Sequence, residues 1–318
     1  MSLSQDLSGH NPDGGMLLTI GVFDGVHQGH KYLIDRLVEK AREQHMLSGV
    51  VTFRRHPREV LSPSLTLPRL TNPEQKVELL KKEGVDTVIV LDFDSEMAAI
   101  SAHDFISLLQ KYLRMKGLVV GPDFAIGKNR EGDIETIRKM GREMGFEVTV
   151  VTPKRVSRTV VSSTAIRKAM AAGEIKKVNE MLGHPFSLTG RVVSGTHRGT
   201  SQLGFPTINL DVDAAQALPP DGVYATRTVM DGKTYQSMTN IGRRPTFGGV
   251  ARTIESHILD FHGDVYGHVA RLDFIGRLRD EKKFETVEEL KKQIAKDIVK
   301  GRAMLALQGD SQYKYIDE

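Results

Sequence analysis

The sequence predicts an α/β protein in two parts, a parallel β-sheet covered by helices and then a small antiparallel β-barrel with a C-terminal helix. Apolar runs and segments of helical period alternate from Met16 to about Gly183, and repeated strand, helix, strand units form parallel sheets. Residues 183–185, Gly-His-Pro, are typical of a helix stop and a linker, and short β-rich runs follow them. We therefore predict one domain over residues 16–184 and a second over residues 185–310.

The elements of the first domain follow from apolar runs and helical spacing. The run Met16–Ile20 predicts a strand, and apolar residues at helical spacing, Leu33 and Leu37 among them, predict a helix directly after it. The further elements are strands at 49–53, 85–91, 118–120 and 146–151 and helices around 73–80, 105–112 and 134–144. Ligands bind beyond the carboxyl ends of such strands, so the turn after Ile20 lies at the predicted binding edge.

The second domain is predicted from strand-like runs and one long helix. The runs cover residues 186–193, 222–230, 234–241, 253–261 and 268–274. Asp231-Gly232, between the second and third runs, is typical of a hairpin turn, and the runs lack the crossover helices that a parallel sheet needs. A helix from about Val287 to Leu305 closes the domain, which favours a small antiparallel barrel.

Composition narrows the possible functions. The chain has 318 residues, 39% of them hydrophobic, and no cysteine, which excludes disulfides, thiolate zinc sites and a cysteine nucleophile. Residues 2–15 lack the features of a secretory signal and no apolar run reaches about 18 residues, so we expect a cytoplasmic protein. The 44 basic side chains are offset by 40 acidic ones and tryptophan is absent, which argues against nucleic-acid binding. Binding of a phosphorylated small molecule explains the mild net charge as well.

Two histidines, His27 and His30, stand three residues apart just after the first strand. On a helix this spacing places both imidazoles on one face. At a helix N-terminus they would join unpaired backbone N–H groups and the positive end of the helix dipole, where phosphate binds. The alternative is that Asp24-Gly25 is an ordinary turn and both histidines are surface residues.

The segment 161–167, with hydroxyl residues before a predicted helix, is a second candidate for anion binding. Serine and threonine at such a position are also good N-caps, which is the purely structural interpretation. Arg167 is predicted to fall in the first turn, where the helix dipole disfavours a cation. An anionic ligand would compensate for that charge.

The second domain contains, after its first predicted strand, a segment rich in Gly, Ser and Thr at residues 195–209. Its structural interpretation is a mobile loop, although backbone N–H groups freed by glycine can also cradle phosphates. Thr207 and Asn209 stand two residues apart, so on an extended chain their oxygens share one face. Because magnesium prefers oxygen ligands, both residues are candidate Mg²⁺ ligands.

The segment GVFDGVHQGH at residues 21–30 resembles GxFDGxHxGH, the signature of the bacterial bifunctional riboflavin kinase/FMN adenylyltransferase (FAD synthetase) family. The signature is a variant of the HxGH nucleotidyltransferase motif. The resemblance implies a Rossmann-like nucleotidyltransferase domain in which His27 and His30 bind the ATP phosphates and stabilise the charge that develops as pyrophosphate leaves. The resemblance also implies that the ATP-binding loop includes Gly21, Phe23 and Asp24.

The segment VSSTAIR at residues 161–167 is similar to the SSTxIR motif that clasps the triphosphate in this family. The resemblance implies that Ser163, Thr164 and Arg167 approach the ATP phosphates from the far end of the first domain. Two phosphate motifs in family order are far less expected by chance than either motif alone.

Two loops between these motifs also resemble family segments. FRRHP is similar to FxPHP, with Arg55 in place of the usual proline, and GPDFAIG is similar to the start of GxDFxFGxxRxGD, with Ile126 where an aromatic residue is common. The resemblance implies that His56 and Asp123 belong to flavin and nucleotide loops. Each segment alone is an ordinary strand-to-helix loop.

In the second domain, GTHRGTSQLGFPTIN resembles the riboflavin kinase signature GxxRGxxLGFPTxN. The resemblance implies that Thr207 and Asn209 hold Mg-ATP. It implies further ATP contacts from Gly195, Gly199, Gly204 and Pro206.

Two later segments complete the resemblance to riboflavin kinases. NIGRRPTF is similar to NIGxRPTF, which implies that Asn240 and Arg244 lie on the flavin side of the site. TIESHILDF is similar to the strand that carries the family's catalytic glutamate, which implies that Glu255 accepts or orients the proton of the ribityl 5′-hydroxyl. Without the resemblance, a lone glutamate in an apolar strand is more often an edge charge.

The resemblance extends from Met16 to about Arg302 and implies two activities. The second domain would phosphorylate riboflavin with ATP to give FMN, and the first would adenylylate FMN to FAD with release of pyrophosphate, both with Mg²⁺. The expected partners are riboflavin, FMN and ATP, with neither nucleic acid nor membrane, and the chain is expected to be a monomer or weak oligomer. Two alternatives stay open, a transferase that acts on another phosphorylated acceptor and a flavin- or RNA-binding regulator with inactive sites.

Overall fold

The computed structural model describes residues 3–62, 64–152, 155–156, 159–194, 205, 207–246 and 249–307. The chain forms two compact units. The first comprises Met1–Leu67 and Pro73–Ser163, and the second comprises Pro68–Asn72 and Thr164–Glu318. The assignment of functional domains to residues 16–184 and 185–310 stays a prediction.

The first unit is built, in its described part, on a parallel sheet of five strands. These are β1 (Met16–Ile20), β2 (Leu47–Phe53), β3 (Thr87–Leu91), β4 (Met115–Val120) and β5 (Glu147–Val150). They pair in the order β3-β2-β1-β4-β5, and every pair is parallel. The predicted α/β sheet is therefore confirmed. Its strand order reverses between β1 and β4, and ligands bind at such a switch point in open α/β sheets.

Helices cover both faces of this sheet, and its central strand β1 is therefore buried at every position. The helices are α1 (Leu3–Ser8), α2 (Gln28–Glu43), α3 (Pro57–Leu61), α4 (Pro73–Lys82), α5 (Ser95–Ala99), α6 (Ala102–Leu113) and α7 (Ile134–Met144). Successive strand residues point to opposite faces, so Leu18 packs in one core with Phe105 of α6, while Leu17 packs in another with Leu37 of α2. A short hairpin of β6 (Arg155–Val156) and β7 (Thr159–Val160) follows β5.

The second unit contains a closed antiparallel barrel. Its strands in the described chain are β8 (Phe186–Val193), β9 (Ile208–Asp211), β10 (Gly222–Met230), β11 (Lys233–Thr246), β12 (Gly249–Ile258) and β13 (Val269–Arg279). The barrel order is β10-β11-β12-β9-β8-β13. The unit also contains α8 (Ser163–Ala171, from its second residue on), α9 (Ile175–Leu182) and the C-terminal α10 (Val287–Leu307). The predicted barrel with its closing helix is confirmed.

Four strands of the barrel differ from the sequence prediction: β12 begins at Gly249 rather than Thr253, β13 ends at Arg279 rather than Phe274, and the other two are β11 and β9. β11 continues beyond the predicted end at Ile241, because its pairing with β12 runs on to Thr246 opposite Gly249. β9 was not predicted as a strand, and it is held by pairs such as Asn209 with Glu255 of β12. In both cases pairing between distant segments decides the structure rather than local propensity.

Gly190 of β8 allows β9 to lie close, since a Cβ at this position would lie 2.0 Å from the Asp211 carbonyl oxygen. We expect Gly190→Ala to lower the free energy of unfolding by about 1–3 kcal/mol, because the β9 backbone must move away. Urea unfolding followed by circular dichroism measures the change. Gly14→Ala is the control, because no heavy atom lies within 4 Å of its added Cβ. Equal midpoints for the two variants would contradict the expectation.

No helix in the described ranges has both the length and the apolar character that crossing a membrane requires.

Candidate functional site

The first candidate site lies where β1 ends and the chain turns into α2. His27 is the N-cap of α2, and its Nδ1 accepts a hydrogen bond of 3.2 Å from the backbone N–H of His30. The two imidazoles are stacked, with centroids 3.6 Å apart and planes 12° from parallel. His27 is only 5% exposed. The predicted position at a helix N-terminus is therefore confirmed, and the interpretation of His27 as a surface residue is wrong.

The loop before His27 has a strained backbone. Phe23 and Val26 have φ angles of 50° and 36°, in a region that residues with a side chain rarely adopt. Such residues cost on the order of 1–3 kcal/mol each and occur mainly where the surroundings fix them for a function. The buried ring of Phe23 meets the His30 ring edge-on with centroids 5.0 Å apart. Packing of Phe23 against His30 thus helps to fix the conformation of the loop.

Burial and nearby charge keep His30 neutral in the free protein. The pKa of His30 lies well below its ordinary value, mainly because burial disfavours the cation and also because His27 and Lys76 add positive potential. Its Nδ1 is buried and has no hydrogen-bond partner among the described residues. A polyanion bound here would stabilise the protonated form, so the site is suited to take up a proton together with a phosphate group.

We expect the free energy of unfolding to decrease as the pH falls below about 6.5, the ordinary histidine pKa. The lowered pKa of His30 means that the unfolded chain binds this proton first. The contribution of His30 to the free energy of unfolding is therefore complete at pH values above the pKa of His30 in the unfolded chain. It is lost as the pH falls toward the pKa of His30 in the folded chain. Urea unfolding between about pH 5 and pH 8 checks this linkage.

His30→Asn removes the titrating group and should flatten this part of the pH dependence. The exposed His45 lies in the same unit, and its backbone φ of 53° is one that asparagine tolerates. His45→Asn is therefore the matched control and should keep the wild-type slope. Equal slopes for the wild type and His30→Asn would contradict the assignment to His30.

Lys76 of α4 is a residue of this site that the sequence reasoning missed. Its side chain is buried, and its Nζ donates hydrogen bonds to the carbonyl oxygens of Phe53 at 2.6 Å and Val22 at 3.2 Å. The available signal was helical spacing, since Lys76 stands four residues before the fully buried Leu80 and so shares its face of the helix.

The predicted triphosphate residues of segment 161–167 fall into both units. Ser163 belongs to the first unit, and its hydroxyl donates a hydrogen bond of 2.9 Å to the carbonyl oxygen of Asp24 in the predicted ATP loop. Thr164 and Arg167 belong to the second unit, where Arg167 Nε donates to the Pro68 carbonyl oxygen at 2.8 Å. Their approach to ATP phosphates stays a prediction.

The expectation that Arg167 lies in the first turn is wrong. Helix α8 begins at Ser163, one residue into the hydroxyl segment, so that Arg167 lies in the second turn. The effect of the helix dipole is confined to the terminal turn. The dipole argument for an anionic ligand therefore fails, and only the family motif supports a phosphate role for Arg167.

The two predicted flavin and nucleotide loops lie at other strand ends of the same sheet. His56 is the N-cap of α3, and its Nδ1 accepts from the Arg58 backbone N–H at 3.1 Å. Asp123 follows β4 and is exposed at an open cavity of about 800 Å³, whose lining includes Phe124, Arg130 and Arg138. Roles for His56 and Asp123 in binding stay predictions.

The second candidate site is a polar row across three neighbouring strands of the barrel. Glu255 of β12 lies directly opposite Asn240 of β11 on one side and Asn209 of β9 on the other. Opposed residues on paired strands project from the same face, so one carboxylate and two amides form a row. Thr253, two residues before Glu255, adds a hydroxyl 3.4 Å from Glu255 Oε1. The structure thus brings together three of the predicted kinase residues.

Two cavities lie beside this row and share Thr207. One has a volume of about 400 Å³ and combines Asn240 and Glu255 with apolar side chains such as Met238, Phe284 and Ile294. The other has a volume of about 380 Å³ and is lined by apolar and aromatic residues, among them Ile208, Phe261 and Tyr266. Thr207 therefore stands where two ligands, one in each cavity, would meet.

Several predicted kinase residues lie outside the described part of the chain. These are Gly195, Gly199, Gly204 and Pro206, and for Arg244 only the backbone is described. Among the described residues, no three histidine or acidic side chains come together as a potential metal-binding group.

Comparison with known proteins matches both units. A family model described as FAD synthetase matches residues 10–165, and one described as riboflavin kinase matches residues 182–305. The chain is similar to bifunctional riboflavin kinase/FMN adenylyltransferases of Escherichia coli, with 39% identity over 93% of this chain and 95% of the relative, and of Bacillus subtilis, with 33% identity over 88% and 90%.

A solved structure shares the whole fold. The crystal structure of a macrolide-efflux protein from Streptococcus pneumoniae superposes with a TM-score of 0.84 and 31% identity, covering 92% of this chain and 95% of that one. Its agreement extends over both units, as does that of the enzyme relatives. The stacked histidine pair and the Glu255 row thus occur in a chain that belongs to the bifunctional riboflavin kinase/FMN adenylyltransferase family.

Proposed function

We propose that this chain catalyses two successive reactions, phosphorylation of riboflavin to FMN and adenylylation of FMN to FAD, with ATP as the second substrate of both. The observation that carries the proposal is the placement of a Glu255–Asn209–Asn240 row and a stacked histidine pair in two separate units. Each set has the chemistry that one of the two reactions needs.

For the kinase reaction, we assign riboflavin to the cavity that contains Glu255 and ATP to the cavity lined by Phe261 and Tyr266. Apolar walls suit the flavin ring and aromatic side chains suit adenine. Glu255 would accept the proton of the ribityl 5′-hydroxyl as its oxygen attacks the γ-phosphorus of ATP and the bond to the β-phosphate oxygen breaks. Thr207 at the junction of the cavities lies where the phosphates would pass.

The donor set next to Glu255 also fits magnesium. Thr207 offers a hydroxyl and Asn209 an amide oxygen beside a single carboxylate, and Mg²⁺ is commonly held by few protein oxygens together with substrate phosphates. In the proposed complex Thr207 and Asn209 would hold the ion, which would neutralise charge on the transferred phosphate.

For the adenylyl transfer, a phosphate oxygen of FMN would attack the α-phosphorus of ATP while the bond to the β-phosphate oxygen breaks and pyrophosphate leaves. In-line transfer between bound substrates requires positioning and positive potential rather than a covalent intermediate. His27, His30 and the N-terminal N–H groups of α2 would stabilise the pyrophosphate charge.

Incubation with riboflavin, ATP and Mg²⁺, followed by chromatography of the products, tests both activities at once. The proposal expects FMN first and FAD after it. The absence of both FMN and FAD would overturn the proposal. Tight flavin binding without ATP turnover would favour a regulatory protein. If the protein converts supplied FMN to FAD but forms no FMN from riboflavin, only the adenylyltransferase part of the proposal would stand.

The proposal also includes a cytoplasmic location and a monomeric or weakly associating chain. Cell fractionation tests the location. Size-exclusion chromatography over a range of concentrations tests the oligomeric state, and a stable higher assembly would contradict it.

A further inference from the structure

The buried lysine beneath the histidine loop joins two segments of the first unit. Lys76 Nζ bonds the carbonyl oxygen of Val22, in the loop between β1 and His27, and that of Phe53, the last residue of β2. Beyond Phe53 the chain leads directly to His56. Lys76 therefore connects the loop before His27 with the strand end that precedes His56.

The hydrogen bonds of Lys76 reach carbonyl oxygens on two separate segments of the first unit. The Val22 carbonyl oxygen already accepts a hydrogen bond of 3.0 Å from the Thr52 hydroxyl. Lys76 is only 5% exposed, and burial of an ammonium group costs free energy that a neutral residue of similar size would not. A positive charge next to the loop is useful, however, if the loop binds a polyanion.

The charge also reaches the histidine pair. The positive charge of Lys76 is the smallest of three causes that lower the pKa of His30, after burial and the charge of His27. His30 can gain a proton when an anion arrives, and the ammonium group of Lys76 would add its positive charge on the same side of the loop. Both groups would thus contribute positive potential at the site.

We propose that Lys76 is a positioning residue of the adenylyltransferase site, where its side chain ties the strained β1–α2 loop to the end of β2 and adds positive potential at the histidine pair. The inference rests on the adenylyltransferase function proposed above. Lys76 does not itself act on the reacting atoms, and its effect is exerted through Val22, Phe53 and His30.

The test compares Lys76→Met, Lys76→Gln and Lys76→Arg with the exposed Lys82→Met on the same helix as control. We expect kcat for FAD formation from FMN to fall about 100-fold in the Met and Gln variants, because small displacements of positioning groups have effects of that size. The Arg variant should stay within about tenfold of wild type, because it keeps the charge and donors. FMN formation in the same preparations should be unchanged, and urea unfolding followed by circular dichroism shows whether the first unit of each variant is folded.

Two readouts that do not require turnover separate this inference from the proposed function. The His30 imidazole, titrated by NMR, should show a higher pKa in Lys76→Gln than in wild type, because a positive neighbour has been removed. Calorimetry with inorganic pyrophosphate should show about tenfold weaker binding in the same variant, even if the wild type forms no FAD. FAD formation within twofold of wild type in the folded Met or Gln variant would overturn the proposal. An unchanged His30 pKa or pyrophosphate affinity would overturn it as well.

Discussion

Glu255→Gln is expected to abolish the formation of FMN from riboflavin while the conversion of supplied FMN to FAD continues. Glutamine keeps the size of the side chain and its place between Asn209 and Asn240 but cannot accept a proton. Loss of a general base lowers the rate by about 10²–10⁴-fold. Separate assays that start from riboflavin and from FMN, each analysed by chromatography, measure the two activities.

The matched control for this substitution is Glu288→Gln on the exposed side of α10, which removes the same charge from the same unit. It should leave both activities within experimental scatter of wild type. Equal loss of both activities in Glu255→Gln would argue against independent sites. Retention of FMN formation within tenfold would exclude Glu255 as the proton acceptor.

The parallel sheet of the first unit could be predicted because its signals are local. Each strand is a short apolar run, and Met16–Ile20 is buried at every position, as expected for a strand covered on both faces. The helix after it could also be placed, since His27 begins α2 as an N-cap and Leu37 is among its buried residues. Such patterns depend on neighbours in the sequence.

The barrel was predictable in kind but not in detail. Strand β9 has four residues, Ile208–Asp211, too few for a clear alternating pattern, and it is defined by pairing with β8 and β12. The continuation of β11 to Thr246 similarly depends on β12. The local sequence of a strand does not determine which distant segment it pairs with.

The candidate sites show the same division between local and long-range information. The spacing of His27 and His30 is a local motif, and the stacked rings followed from it. The opposition of Glu255 and Asn209 depends on strand register, which the family motifs indicated only indirectly. Lys76 lies in an ordinary amphipathic helix, so nothing nearby in the sequence connects it with the loop that holds His27.

Substitution of both histidines, His27→Asn with His30→Asn, is expected to reduce FAD formation from FMN by about 10³-fold and to leave FMN formation from riboflavin unchanged. The magnitude is that of losing a preorganised group that stabilises charge in the transition state. Asparagine is chosen because it is among the most favoured N-cap residues, and position 27 is the N-cap of α2. The substitution therefore removes the imidazoles and keeps the start of the helix.

The double variant is compared with His45→Asn, which removes an exposed imidazole from the same unit. If the histidines act on the leaving pyrophosphate, kcat for FAD formation falls more than KM for ATP rises, because the interaction strengthens only as charge develops. A rise in KM alone would make the pair a ground-state binding site for ATP. FAD formation at the wild-type rate would refute the phosphate role of both residues, since no imidazole would then be left at the N-terminus of α2.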